Sequence, residues 1–248
     1  MKRFVSVLLV LSLILISLTG CSNQESSSLQ DKNISELEYI EGKLVKILNE
    51  MARDEYLVGV STTDNLEENT NLATDDSIVT KKIDWEKLLK DTNKIESSIA
   101  TTITDLTALN IEASEIEKLS TGVNNMIIAI EKEDINSYLI SLNNVYALIP
   151  SYMEKYAGNN EKTFKKKLKY YTISAYIAYN DGNLEMAKTQ ASELERIYSE
   201  KMKEVGYLQN NEYNLNKLYI LIQELKRAID SDSKELVKSK YLLTIEEI

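Results

Sequence analysis

The side chains that carry most enzyme chemistry are nearly absent from this sequence. It contains no histidine and a single cysteine, Cys21, in 248 residues. Histidine is the commonest general base and the commonest transition-metal ligand in proteins. Sites built on histidine or several cysteines, such as zinc centres, haem pockets and hydrolytic triads, are therefore excluded. The sequence also offers no glycine-rich loop to hold phosphate. It predicts a non-enzymatic protein without a metal or cofactor.

Carboxylates are abundant, with 39 acidic side chains, so a hydrolase that uses two acids remains an alternative. Two acidic clusters occupy similar turns of the chain. Calcium accepts oxygen ligands, but the spacing of these residues matches no ordered calcium loop. Acidic residues at a helix N-terminus also complement the helix dipole, and we expect them to serve that purpose. The clusters are Glu131, Glu133 and Asp134, and Asp230, Asp232 and Glu235.

The residues before Cys21 indicate what its thiol does. Lys2 and Arg3 precede an apolar run over residues 4–18, which is shorter than the roughly 20 residues that span a bilayer. This pattern is typical of a signal peptide. The run ends in Leu18-Thr19-Gly20-Cys21, which resembles the lipobox of bacterial membrane lipoproteins of Gram-positive type.

The resemblance implies a lipid anchor. In that class, diacylglycerol is attached to the cysteine thiol, and signal peptidase II recognises the three preceding residues, here Leu18, Thr19 and Gly20. Residues 1–20 would then be the signal peptide, and residues 21–32 the lipidated cysteine and a flexible tether. The chain is expected on the extracytoplasmic face of the cell membrane. Removal of the signal peptide leaves 27 of the 29 basic side chains against 39 acidic ones, a net charge of −12. No nucleic-acid partner is expected for so acidic a protein.

The rest of the chain predicts an all-α fold. Seven glycines and one proline are few for this length, and no alternating strand pattern is present. A first helix is predicted over 33–57, a disordered loop over 58–79 and a second helix from Thr80 to about Leu109. Residues 33–248 are expected to form one domain. It would hold about eight helices as antiparallel hairpins, in a bundle or a short solenoid like that of tetratricopeptide proteins.

Three short polar turns follow Ala129, Ala178 and Ala228, which are 49 and 50 residues apart. Each turn ends one apolar-periodic segment and offers Asp, Asn or Ser to cap the next helix. The pattern predicts helical hairpin repeats over 113–156, 161–205 and 211–246. The middle hairpin partly resembles a tetratricopeptide unit through Ala175, Gly182 and Ala187, which implies a mode of helix packing and no binding residues.

A lysine-rich helix start followed by tyrosines is the candidate binding surface. Lysines in a first turn oppose the helix dipole, and tyrosine presents an apolar face with a polar edge. An acidic protein or an anionic envelope polymer would fit such a surface. The alternative is a solvated lysine face with tyrosines at the rim of the core. The residues are Lys162, Lys165, Lys166, Lys167, Lys169, Tyr170, Tyr171, Tyr176 and Tyr179.

Three functions follow as hypotheses. The first is a lipid-anchored binding or scaffold module. The second is a receptor for a small ligand or an anionic glycan, which requires a pocket lined by several of the tyrosines. The third is a carboxylate hydrolase, which requires two acids facing each other across a cleft, roughly 5–10 Å apart for glycoside hydrolysis.

Overall fold

The computed structural model describes residues 22–61, 79–108, 112–158, 160–204 and 208–248. The predicted signal peptide, Cys21 and residues 62–78 of the predicted loop lie outside these residues. The described chain forms eight α-helices and one two-stranded antiparallel sheet. The predicted all-α class is confirmed.

The helices follow one another with short connections. The first two are separated by the strands β1 (Leu57–Ser61) and β2 (Val79–Ile83). The helices are α1 (Ser22–Ala52), α2 (Trp85–Ala108), α3 (Ala113–Glu131), α4 (Ile135–Ala157), α5 (Glu161–Asn180), α6 (Leu184–Met202), α7 (Leu208–Asp230) and α8 (Lys234–Glu247).

The start of α1 differs from the sequence-based expectation. The helix begins at Ser22, so the segment 22–32, predicted as a flexible tether, is helical. Extending an existing helix adds one hydrogen bond for each residue fixed, and neither glycine nor proline lies between Ser22 and Gly42. The capping pattern at Asn33 therefore lies inside α1. The helix ends at Ala52, five residues before its predicted end.

A β-hairpin occupies both ends of the predicted loop. Leu57 pairs with Ile83 at one end of the ladder, and Ser61 pairs with Val79 at the other. The loop assignment was therefore wrong at these residues, and so was the helix start at Thr80. Strands of five residues are too short for a clear alternating pattern, although valine, isoleucine and threonine favour them.

The helices form two four-helix units. Each helix packs against the next along the chain, and two further contacts close the sets, α1 against α4 and α5 against α8. The first unit is thus α1–α4 and the second is α5–α8. They meet mainly through α4 and α5, and α1 also touches α8. Buried apolar side chains from both units form one continuous core.

One backbone turn ends α1, α3, α5 and α7. Its central residue donates its N–H to the carbonyl three residues back, and the next residue donates to the carbonyl five residues back. This is the Schellman geometry, in which glycine usually takes the central position because its φ is positive. The central residues are Asp54 (φ 62°), Glu133 (53°), Gly182 (78°) and Asp232 (49°).

Consecutive helices form four pairs, α1–α2, α3–α4, α5–α6 and α7–α8. The second helix of each pair begins after a capping residue at an equivalent position. These positions are Asp84, Asp134, Asn183 and Ser233, which are 50, 49 and 50 residues apart. The three predicted hairpin spans match α3–α4, α5–α6 and α7–α8 to within three residues at each end. The pair α1–α2 has the same turn, with the β-hairpin placed between that turn and the start of α2.

Candidate functional site

The predicted anchor residues Leu18, Thr19, Gly20 and Cys21 lie outside the described residues, so the lipid anchor remains a prediction. Within the described part of the chain, no helix is both long and apolar enough to cross a membrane.

Most lysines of the predicted surface form ion pairs with acidic side chains of other helices in the same chain. Lys162 lies 2.7 Å from a carboxylate oxygen of Glu38 on α1. Lys167 lies 2.9 Å from Glu154 on α4. Lys165 is exposed. Lysines that oppose their own helix dipole therefore compensate acidic side chains on neighbouring helices.

Glu41 on α1 is the centre of a buried charge cluster. Its side chain is 5 % exposed and lies 2.6 Å from the ammonium of Lys166 and 3.5 Å from that of Lys169. The hydroxyl of Tyr146 on α4 donates a hydrogen bond of 3.0 Å to the same carboxylate. Burial, followed by the negative charge of Glu41, raises the pKa of Tyr146, which keeps it a donor. The cluster joins α1 and α4 of the first unit to α5 of the second.

The predicted tyrosines divide among different surroundings. Tyr170 and Tyr171 are half-buried and meet edge to face, with 5.0 Å between ring centroids. Tyr176 is buried and stacks on Tyr241 of α8 at 4.1 Å. Tyr179 is partly exposed and lies near Asp232 in the turn between α7 and α8. The structure thus distributes the predicted surface among ion pairs, ring packing and, at Tyr176, the wall of a cavity.

That cavity is a cleft of about 400 Å³ at the junction of the two units. Its walls come from the C-terminal ends of α1 and α5, the N-terminal starts of α4 and α8, and the β-hairpin. Small-molecule sites occupy about 300–1,000 Å³, so the cleft has the size of a binding site for a small organic molecule.

The two sides of the cleft have different chemistry. The side formed by α1, α4 and the hairpin presents apolar side chains, which we call the apolar wall: Leu48, Met51, Leu57, Ile83, Ile135 and Leu139. The side formed by α8 presents what we call the charged wall: Lys234, Glu235 and Lys238.

The two walls come from equivalent positions of the two units. Ile135 and Leu139 are the first and fifth residues of α4, and Lys234 and Lys238 are the first and fifth residues of α8, 99 residues later. A site that is symmetric in backbone is therefore asymmetric in side chains. It can accept an apolar group on one side and charged groups on the other.

Two tyrosines that line the cleft are held in place by contacts with residues outside it. Tyr176 lines it and stacks on Tyr241, whose hydroxyl donates to the side chain of Asn49 at 3.0 Å. Tyr56 also lines it, and its hydroxyl donates to Asp91 at 2.9 Å. Burial, and then the hydrogen bond with Asp91, raises the pKa of Tyr56, so its phenol stays protonated. The cleft is therefore largely formed before any ligand arrives.

Charges on the cleft are partly compensated. The ammonium of Lys238 lies 2.8 Å from a carboxylate oxygen of Asp54 at the end of α1, which links the two units across the cleft. In the part of the chain that the structure describes, Lys234 and Glu235 form no ion pair. One positive and one negative side chain are thus available at the charged wall.

The acidic clusters identified in the sequence serve the turns. Glu133 and Asp232 occupy the positive-φ positions, and the carboxylate of Asp134 accepts a hydrogen bond of 3.0 Å from the backbone N–H of Ser137. Among the described residues, no three metal-ligating side chains lie close enough to hold a metal ion.

Comparisons of the chain with protein-family models, with curated protein sequences and with solved structures found no match. The site can therefore be assessed only from its own chemistry.

Sequence reasoning missed the charged wall. Neither Lys234 nor Lys238 was among the residues that the sequence singled out. Aligning the sequence on itself with a shift of 99 residues would have placed them opposite Ile135 and Leu139. An exchange of apolar for basic residues at equivalent helix starts is the signal that could have found the cleft.

Proposed function

We propose that this chain is a lipid-anchored binding protein on the extracytoplasmic face of the cell membrane, and that it holds a small ligand in the cleft between its two four-helix units. The anchor is supported by the sequence Leu18-Thr19-Gly20-Cys21 and by the absence of any other cysteine. Ser22, the residue after Cys21, belongs to α1.

The observation that carries the binding role is the cleft itself, with an apolar wall facing a charged wall. Tyr56 and Tyr176 are fixed by contacts behind them, so little conformational entropy is lost when a ligand enters. The two cleft carboxylates are Asp54, which is paired with Lys238, and Glu235, and the chain contains no histidine. We therefore propose binding without turnover.

A variant that fills the cleft tests the binding role. Asn136 is exposed and lines the cleft, so Asn136→Trp places an indole in the space without removing a core side chain. The full chain, purified from its own membranes into lipid nanodiscs, is denatured, and the small molecules released are measured by mass spectrometry. We expect a molecule in equimolar amount from the wild-type chain and at least a tenfold loss from the variant.

The matched control is Asn124→Trp, at an exposed position of α3 that does not line the cleft. It should release the same molecule in the same amount as the wild-type chain. Release of nothing specific from the wild-type chain, or equal release from both variants, would overturn the proposed binding role.

The anchor has its own test. Cys21→Ser should abolish incorporation of an alkyne-labelled fatty acid and move the chain from the membrane fraction to the medium or wash. Ser26→Ala should change neither. A Cys21→Ser chain that stays labelled would show that the lipid is attached elsewhere.

A further inference from the structure

The apolar wall of the cleft matches aliphatic or aromatic side chains. Ile135 and Leu139 of α4 stand beside Leu48 and Met51 of α1. Contact with these residues removes apolar ligand surface from water, which is the main source of affinity for an uncharged group. A fully polar ligand, such as a free sugar or an inorganic ion, would leave this wall without a partner.

The charged wall matches a ligand that carries both signs of charge. Asp54 and Lys238 compensate each other at 2.8 Å, so Lys234 and Glu235 remain for the ligand. An anion at Lys234 would also approach the carboxylate of Glu235, and a cation at Glu235 would approach the ammonium of Lys234. A molecule with one anionic and one cationic group satisfies both side chains and adds no net charge.

The size of the cleft further limits the class of ligand that fits. A volume of about 400 Å³ holds roughly a dozen water molecules at ~30 Å³ each. A cleft of this volume fits a molecule of about two amino-acid residues and is too small for a folded protein element. The side chains of Asn136 and Asn180 also line the cleft, and amides bind the N–H and C=O groups of a peptide bond.

We propose that the cleft binds a short peptide of apolar residues with free ends. Its carboxylate lies at Lys234, its ammonium lies at Glu235, and its side chains lie against the apolar wall. This proposal rests on the proposed function and names the ligand class of the same site.

Calorimetric titration of the full chain in lipid nanodiscs tests the proposal with three probes. The first is the dipeptide Leu-Leu, the second is its N-acetylated form and the third is its C-terminal amide. Leu-Leu should bind with one-to-one stoichiometry. Each blocked form should bind roughly tenfold more weakly, since each loses one charge-assisted contact.

Two single variants assign the ends of the peptide. Lys234→Gln should weaken Leu-Leu by roughly tenfold and leave the affinity of the amide unchanged, because the amide has no carboxylate to lose. Glu235→Gln should do the same for Leu-Leu and leave the acetylated form unchanged. Lys203→Gln, at the exposed end of α6, is the matched control and should change none of the three affinities.

The outcomes separate this proposal from the proposed function. If the three probes bind equally, or if none binds, the peptide class is wrong. The binding role still stands in that case if Asn136→Trp abolishes release of the natural small molecule. If Asn136→Trp changes neither that release nor the binding of Leu-Leu, the cleft is not the site and both proposals fail.

Discussion

The ammonium of Lys166 on α5 lies 2.6 Å from a carboxylate oxygen of Glu41 on α1. The two side chains are 12 % and 5 % exposed, so this ion pair is largely removed from water. The two residues are 125 positions apart in the sequence, and their helices belong to different four-helix units. The pair therefore fixes how the two units sit against each other, and the cleft lies at that same junction.

Replacing Glu41 by glutamine should strongly destabilise the fold. The variant leaves Lys166 and Lys169 without a counter-charge while both remain mostly buried. Breaking a buried pair from one side costs about 3 kcal/mol. We expect the free energy of unfolding, measured by urea denaturation, to fall by about that amount.

The control for Glu41→Gln is Glu38→Gln on the same helix. Glu38 pairs with Lys162, whose side chain is 54 % exposed, and such pairs contribute about 0–1 kcal/mol. Equal losses from the two variants would contradict a special role for the buried cluster.

The turn between α7 and α8 should become more stable with glycine at its centre. Asp232 has φ 49° there, where Gly182 of the equivalent turn has φ 78°. A side chain in this region costs about 1 kcal/mol, so Asp232→Gly should raise the free energy of unfolding by about 0.5–1 kcal/mol. Gly182→Ala is the reverse experiment and should lower it by about 1 kcal/mol.

Both turn variants are read from the same thermal or urea unfolding curves. A loss of stability in Asp232→Gly would show that the aspartate side chain contributes more through its electrostatic interaction with Tyr179 than its backbone conformation costs.

The ion pair between Glu195 of α6 and Lys226 of α7 should make the free energy of unfolding depend on pH. A hydrogen bond from Lys226, at 2.6 Å, holds the pKa of Glu195 below its ordinary 4.5. The folded state thus favours the ionised form. The resulting stability is present above pH 4.5 and is lost as the pH falls through the lowered pKa of the folded state.

Glu195→Gln should therefore be less stable than the wild-type chain at pH 7, by up to about 1 kcal/mol. The difference should shrink steadily below pH 4.5. Urea denaturation at pH 7, 4.5 and 3 measures this, with Glu96→Gln at an exposed position of α2 as the control. A difference that is the same at all three pH values would show that the ion pair does not cause it.

The sequence predicted the fold class because helix signals are local. Apolar spacing and capping residues such as Asp134 and Asn183 lie within a few positions of the structure they set, and both side chains cap as expected. The β-hairpin was not predicted because Leu57 pairs with Ile83, 26 residues away. Neither five-residue strand has a pattern that predicts a strand without its partner.

The lysine-rich start of α5 shows a second limit of prediction from sequence. Sequence spacing placed Lys162 and Lys166 correctly on one helix, but it could not show the acidic partners Glu38 and Glu41, which lie 124 and 125 residues away. The cleft is likewise a product of four helix ends meeting. The anchor motif, in contrast, is contained in four consecutive residues and needs no tertiary contact to be recognised.

We propose that a ligand binds in the cleft between the two units. Methyl NMR spectra of the full chain in nanodiscs, labelled at isoleucine, leucine and methionine, can locate the binding site residue by residue. The probe is a small-molecule extract of the cells that produce the chain. We expect chemical-shift changes at the methyl groups of Met51, Ile135 and Leu139, and none at the exposed Ile220 of α7. The absence of any shift, or shifts confined to methyl groups outside the cleft, would contradict it.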